Sequence, residues 1–555
     1  VSSDSEKTVK NDALSRRGFM ATTGAGIALA STELVSEAQA GAHAAAESPM
    51  QKMTDIPPNG FDDLRSFIAA MEERGIVMRF DRVDQDAYEG TAIVYRAMEE
   101  FGFYNSPIII FEEVKSGGKW IKGPVLVNHL AHWFNETATL GLDPIMNEGE
   151  ANYRAAMAHL TGILEKNGGN YPEIAPIEVA REDAPCKEIV VEGDDIDLNL
   201  FPFIQSNPRD GGTYVNTGSV YTKDPEMGFN FGTYRCQIQG PRQLGINSEP
   251  GQTGWRMLMA AKERGEKTAP IAIAVGQDPV MFTVASTRVP NRVLNRGPID
   301  EHAICGGVRG APMKVVKTDD GEFMVPAHAE MIIEGIVPLD RLEPEGPFGE
   351  VMGYMGPRKE ENFIMEVQRI THRPNPWNVN SFTGMTKGYM AAPEAALSVH
   401  GFKRLIPSLV DIHLPPQALG ICFVSIDKQK PGDGIDAGEK LAKIVPVAKL
   451  YVVTDKDVNL MDTDAILKAI GSRWQPAESS AMFENLRGMP LDPSMTNRPQ
   501  TSKFVIDATE QWPEEGGPEN YAKPNRIWLE ELAPESFDLV DEKWSDKLKG
   551  VRTYT

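Results

Sequence analysis

The densest chemistry in the 555-residue sequence lies in Glu343-Pro344-Glu345-Gly346-Pro347-Phe348-Gly349-Glu350. Proline fixes φ and glycine permits positive φ, so such a loop can hold Glu345 and Glu350 in a set relation. Paired carboxylates on a rigid loop suit general acid–base work, where burial or a neighbour keeps one of them protonated. The same composition also fits a surface turn with solvated glutamates. A second segment, Asn230-Phe231-Gly232-Thr233-Tyr234-Arg235, opens a β-prone run after a turn at Gly228. Arg235 can grip a carboxylate there with two parallel hydrogen bonds, or serve as an ordinary ion pair on a strand. A third, Asp300-Glu301-His302, precedes Gly306-Gly307 and reads as a loop acid.

The elements that must position these residues fall into three blocks. Residues 59–170 alternate helix and strand. Leu64, Phe67, Ile68 and Met71 mark one face of a helix stopped at Gly75, strand-like runs follow at 76–80 and 107–111, and a helix is expected over 151–167. This block reads as an α/β unit. Residues 171–385 carry short β-prone runs between Gly, Pro, Asn and Asp, at 188–192, 214–221, 232–239, 271–275, 313–317, 330–336 and 363–373. That spacing predicts a mainly β barrel or sandwich. Residues 386–555 return to α/β character, with buried strands at 421–426 and 450–454 and a helix at 464–472. The stretch 512–524 is rich in Pro, Glu and Gly and is expected as a surface loop or crossing arm. The fold class is therefore mixed α and β.

Composition narrows the function. With 41% hydrophobic and 24% charged residues the chain is neither disordered nor fibrous. A net charge of −23 disfavours nucleic acid and anionic lipid as partners. The four cysteines, Cys186, Cys236, Cys305 and Cys422, form no CxxC pair and are expected as buried thiols. No GxGxxG at a strand–helix turn, GxxxxGK[ST], HExxH or GxSxG occurs, which removes the simplest nucleotide, zinc-hydrolase and serine-hydrolase readings. Ser15-Arg16-Arg17-Gly18-Phe19-Met20, the weakly apolar run 21–31 and Ala38-Gln39-Ala40 together predict a twin-arginine export signal over 1–40, followed by a linker over 41–58. That address implies a periplasmic or otherwise exported protein, and hints at a cofactor inserted before export. No membrane span is expected.

Together the segments resemble the UbiD family of prenylated-FMN-dependent (de)carboxylases. The resemblance is carried by Glu345-Gly-Pro-Phe-Gly-Glu350-Val-Met-Gly-Tyr, Asn230-x-x-x-Tyr234-Arg235-x-Gln237, Val275-Gly276-Gln277-Asp278-Pro279 and Ser502-Lys503-x-x-Ile506-Asp507-Ala508-Thr509, in that family's chain order. It implies an N-terminal α/β unit, a central split β-barrel like that of flavin reductases, and a C-terminal α/β domain used in homodimerisation. It also implies a catalytic trio: Arg235 to anchor the scissile carboxylate, Glu345 to hold Arg235, and Glu350 as a buried acid that protonates the carbon after CO2 leaves. The cofactor, supplied by a flavin prenyltransferase, would have its phosphate bound through Mn2+ or Mg2+ and a potassium ion. The family's metal ligands are Asn, His and Glu. Asn230 and Glu301 match; the histidine does not, and Gln252 or Thr253 falls nearest its place, while His302 either compensates or is a bystander. Thr233, Tyr234, Ser286, Thr287 and Lys443 are implied as further cofactor contacts. Met385, Tyr389 and Met390 either line an apolar substrate pocket or pack the core. The implied substrate is an aromatic, heteroaromatic or α,β-unsaturated carboxylic acid. The competing readings are carboxylation, the same reaction reversed, and an exported acid-binding protein that kept the fold without turnover.

Overall fold

The structure, a computed structural model, describes residues 55–146, 148–287, 299–385, 387–495 and 500–549. The expected export signal, with all but the end of its linker, lies outside these residues.

The first helix, Leu64–Glu73, starts where Asp63 accepts a hydrogen bond from the Ser66 N–H at 2.8 Å, and it buries Leu64, Phe67, Ile68 and Met71 as their spacing requires. It leads into a four-stranded sheet in the order Val77–Asp84, Ile108–Ser116, Lys119–Val127 and Asn378–Val379. The last strand comes from far along the chain, so the first sheet is completed by a segment near the end of the 171–385 block.

The central block is a ten-stranded sheet. Its main path runs Tyr214–Val215, Cys236–Gly240, Gln243–Ile246, Lys359–His372, Met331–Pro338, Thr268–Val275, Ser219–Asp224, Gly228–Thr233. Two very short links connect its far ends: residues 216–218 join the first strand to the seventh, and Tyr234-Arg235 join the eighth to the second. Two or three residues reach roughly 7–11 Å, so the sheet curls until its ends lie close together. The runs at 214–221 and 232–239, expected as continuous strands, are each divided at these links. The block also carries three helices that the β-prone reading passed over, Thr253–Glu263, Pro279–Ser286 and Glu301–Arg309. Glu301, read as a loop acid, is the first residue of the last of these, behind its Asp300 cap.

In the C-terminal block three parallel strands, Ile421–Ile426, Leu450–Asp455 and Gln500–Ala508, are flanked by antiparallel Leu409–His413 and Ser480–Arg487. The Ser502–Thr509 motif serves this sheet. Buried Lys503 donates to the carbonyls of Ala442 and Val445 at the end of the helix Asp433–Ile444, and Asp507 accepts from the Thr509 N–H and hydroxyl. The residues after 524 form two helices, Asn525–Leu532 and Glu535–Lys549, where only a loop or arm was expected over the preceding stretch. All four cysteines are free and buried, as expected.

Candidate active site

Arg235 sits in the link between two ends of the central sheet, where its backbone makes no ladder with Gly228–Thr233 and its carbonyl accepts from Asn247. Leaving the ladder turns its side chain onto the loop 345–350. There Nε and Nη2 donate to the two oxygens of Glu345 at 2.9 and 3.0 Å, a fork-on-fork pair. Nη1 donates to Glu350 Oε1 at 2.5 Å. The side chains of Arg235, Glu345 and Glu350 are 7%, 0% and 16% exposed, so the pair with Glu345 is sealed while Glu350 keeps an open side. Asn362 Nδ2 faces Glu345 Oε2 at 3.4 Å, and the Phe348 ring lies 5.2 Å from the guanidinium. Burial pulls the Arg235 pKa down, but the Glu345 and Glu350 carboxylates outweigh it and leave it above the ordinary arginine value.

The loop itself is held from outside. Gly346 has φ +86°, a conformation glycine adopts without a side-chain penalty. Asp210, which the sequence reading did not single out, accepts from Gly349 N–H at 3.1 Å and Asn207 N–H at 2.8 Å. Burial pushes its carboxyl up to about 6, against those N–H groups and the Arg235 charge. Gln237 bridges Gly211 O and Gly346 N–H.

A second cluster faces the same strands. Glu301 Oε2 accepts from Phe231 N–H at 2.8 Å, and the Asn230 amide stands 3.2 Å from Glu301 Oε1. With its nitrogen turned there, the amide donates to the carboxylate. With its oxygen turned there, two oxygens converge at the spacing of adjacent ligands on a small divalent cation, about 3 Å for two bonds of about 2.1 Å at a right angle. The Thr233 and Ser286 hydroxyls meet at 3.0 Å.

The family comparison decides the reading. Residues 177–386 match the 3-octaprenyl-4-hydroxybenzoate carboxy-lyase Rift-related domain, and residues 388–508 match that carboxy-lyase's C-terminal domain. A phenolic acid decarboxylase of Sedimentibacter hydroxybenzoicus is 30% identical over 516 residues, covering 88% of this chain and 98% of its own. This chain belongs to the UbiD family. It is an enzyme of the carboxy-lyase class, a decarboxylase. An uncharacterized protein of Aeropyrum pernix is 31% identical over 502 residues, covering 87% of this chain and 98% of its own. The vanillic acid decarboxylase of S. hydroxybenzoicus, in open form, superposes with a TM-score of 0.73 at 27% identity, covering 88% of this chain and all of that one. The UbiD-class enzyme HmfF from Pelotomaculum thermopropionicum, in complex with FMN, shares the fold at 24% identity and a TM-score of 0.69, over 85% of this chain and 99% of its own.

Several residues expected at the UbiD site have other partners for their side chains. Gln252 is exposed at the start of the helix Thr253–Glu263 and its side chain accepts from Glu249 N–H. Lys443 makes an exposed ion pair with Glu439 one helical turn away and is 56% exposed itself. The Thr287 hydroxyl is taken by the Thr283 carbonyl, and the Tyr234 hydroxyl accepts from Gly254 N–H, anchoring a helix start. His302 is a bystander: it lies among Tyr221, Phe229 and Phe231, bonded to the Tyr221 hydroxyl, and burial lowers its pKa to about 3. Met385 and Met390 are taken up by core packing in two separate clusters, and Tyr389 packs against the one that holds Met390. Among the described residues no group of three His, Cys, Asp or Glu side chains is placed to hold a metal.

Proposed function

We propose that this UbiD-family enzyme releases CO2 from an aromatic, heteroaromatic or α,β-unsaturated acid with prenylated FMN as its resident cofactor. The observation that carries the reading is the Arg235–Glu345–Glu350 constellation. The phenolic and vanillic acid decarboxylases among the relatives favour an aromatic acid. The central curled sheet is read as the split β-barrel of the family. Asn230 and Glu301 would hold Mn2+ or Mg2+, which with K+ would meet the flavin phosphate. Two protein oxygens suit a cation that keeps its other positions for phosphate and water. Thr233 and Ser286 would add hydroxyl contacts. When bound, the prenylated flavin supplies the electron sink for the pair left by the broken C–C bond.

The protein's own part follows from Arg235. Its Nε and Nη2 are locked on Glu345, so a substrate carboxylate meets the guanidinium from the Nη1 side, which Glu350 occupies. Substrate binding displaces Glu350, and a carboxylate parted from its cation beside a second anion takes up a proton. Glu350 then delivers that proton to the carbon that lost CO2 and, once ionised, returns to Arg235 as product leaves. Glu345 stays ionised throughout and fixes the guanidinium plane. Carboxylation is these steps reversed at high CO2.

We further read the chain as a homodimer. Among the described residues its two last helices contain none that is buried, and they expose Trp528, Leu532, Val540, Trp544 and Leu548, a face suited to a second copy. The twin-arginine leader supports an exported setting.

The test is purification from cells that also supply the flavin prenyltransferase, followed by native mass, absorbance and an acid panel. Bound prenylated FMN with a divalent metal, and CO2 from an aromatic acid, is the expected result. A folded protein that stays colourless, metal-free and inert toward the panel would overturn the reading.

A further inference from the structure

Glu345 must hold the Arg235 guanidinium throughout and Glu350 must leave it and return to it, so the loop that carries both needs a fixed seat beside Arg235. Glu345 ends a strand paired at Lys359, and Glu350 N–H donates to Tyr354 O at 2.8 Å; between them the loop's own ladder is only two residue pairs, Phe348 with Gly356 and Gly349 with Met355. The residue beside each glutamate is instead gripped by a buried polar side chain from outside the loop. Next to Glu345, Gly346 N–H donates to Gln237 Oε1 at 3.0 Å, while Gln237 Nε2 donates to Gly211 O at 2.7 Å. Next to Glu350, Gly349 N–H donates to Asp210 Oδ1 at 3.1 Å, while Asp210 Oδ2 accepts from Asn207 N–H at 2.8 Å. Between the two grips, Gly211 N–H donates to Pro347 O at 2.8 Å and the Tyr214 ring packs 4.5 Å from Phe348.

Asp210 and Gln237 are 7% and 8% exposed. A carboxyl at position 210 could close its own turn through Asn207 alone. The bond to Gly349, 139 positions away, lies outside that turn. Burying a carboxylate is costly, and an ionised acceptor makes the stronger hydrogen bond. Gln237 stands two residues after Arg235, so one segment places both the guanidinium and a grip on its partner loop.

We propose that Asp210 and Gln237 are positioning residues, a two-point clamp that sets Glu350 and Glu345 against Arg235. Neither is a catalytic residue; each acts through the glutamate beside its grip. The proposal rests on the trio reading above for its effect on turnover, but not for its effect on the loop.

The experiment is hydrogen exchange by mass spectrometry on the full chain, paired with kinetics of the flavin-loaded enzyme, for Asp210→Ala, Asp210→Asn and Gln237→Ala. A lost buried acceptor should speed exchange in residues 345–356 by about tenfold in the two alanine variants, with strands 421–426 and 450–455 unchanged. Asp210→Asn keeps an oxygen for Gly349 and should restore most of the protection. In turnover, Asp210→Ala should lower kcat by up to about a hundredfold with little change in KM, because the acid is misplaced, and Gln237→Ala should mainly raise KM, because Arg235 loses its brace. Unchanged exchange over 345–356, acceleration spread evenly along the chain, or failure of Asp210→Asn to restore protection would overturn the clamp. Inactivity of the loaded wild type would count against the decarboxylase substrate reading instead, and the exchange result would still decide the clamp.

Discussion

Arg235 has five N–H donors, and the structure engages three of them with two carboxylates. Removing the guanidinium strands Glu345, whose side chain is fully buried. Arg235→Ala should therefore cost about 3–5 kcal/mol of stability, read from denaturant unfolding. Glu350 is partly open and has Arg235 as its one described cationic partner, so Glu350→Gln should fold normally and still bind an acid. Its CO2 release should fall by about 10²–10⁴-fold, measured under substrate saturation. If Glu350 takes up a proton when substrate displaces it, calorimetry of a non-reacting acid in two buffers of different ionisation enthalpy should show net proton uptake, absent in Glu350→Gln. At this scale the trio was legible: the Gly/Pro frame around Glu345 and Glu350 and the strand motif ending in Arg235 mark themselves. Asp210 was not, because Asn207-Pro208-Arg209-Asp210-Gly211-Gly212 reads as a turn, and its second partner is fixed only by folding. Gln252 rested on nearness in sequence alone, because the family's histidine has no counterpart, and its side chain accepts from Glu249 N–H.

At the scale of elements, the site depends on two loops meeting backbone to backbone. A Cβ on Gly211 would stand 2.6 Å from Gly346 O and 2.7 Å from Gln237 Nε2. Gly211→Ala should push the loops apart, lowering stability by about 1–3 kcal/mol and reducing turnover more than acid binding, as denaturant curves and steady-state kinetics would show. Apolar period located most strands and the first helix. It did not locate the breaks at 216–218 and 234–235, because there the chain changes partners across the curled sheet while its residue types stay β-prone. It likewise passed over Glu301–Arg309, whose glycines hide a helix that the Asp300 cap and tight packing on residues 172–174 sustain. The terminal helices were missed although Trp528 and Leu532, and Val540, Trp544 and Leu548, recur every four residues; with no buried face, they lack the partner that would make the pattern a core signal.

At the scale of the whole molecule, burial holds His129 and His302 at about 3, and His132 and His413 at about 4. These stay neutral in the folded chain while unfolded histidine protonates near 6.5. Stability from each is present above pH 6.5 and is lost as pH falls toward the folded value, by about 1.4 kcal/mol per pH unit. Asp210 and Asp455, both raised to about 6 by burial, act oppositely between roughly pH 4 and 6, where the folded chain binds the proton more tightly. Burial lowers His159 as well and raises Asp278 and Asp507, so five histidines stand against four carboxyls, and Tm should fall from pH 6.5 to 4. Among the described residues no helix is long and apolar enough to cross a membrane. If the exposed apolar face of the last two helices forms the proposed dimer, a chain ending at Lys523 should be monomeric, seen as halved mass by light scattering.

The most direct test of the central claim is decarboxylation in D2O by the flavin-loaded enzyme, comparing wild type with Glu350→Gln. The account predicts that wild type releases CO2 and leaves one deuterium on the vacated carbon, and that the variant binds the acid but forms deuterated product at least about a hundredfold more slowly. Equal rates of deuterated product from both would contradict Glu350 as the acid, and with it the reading of the Arg235–Glu345–Glu350 site.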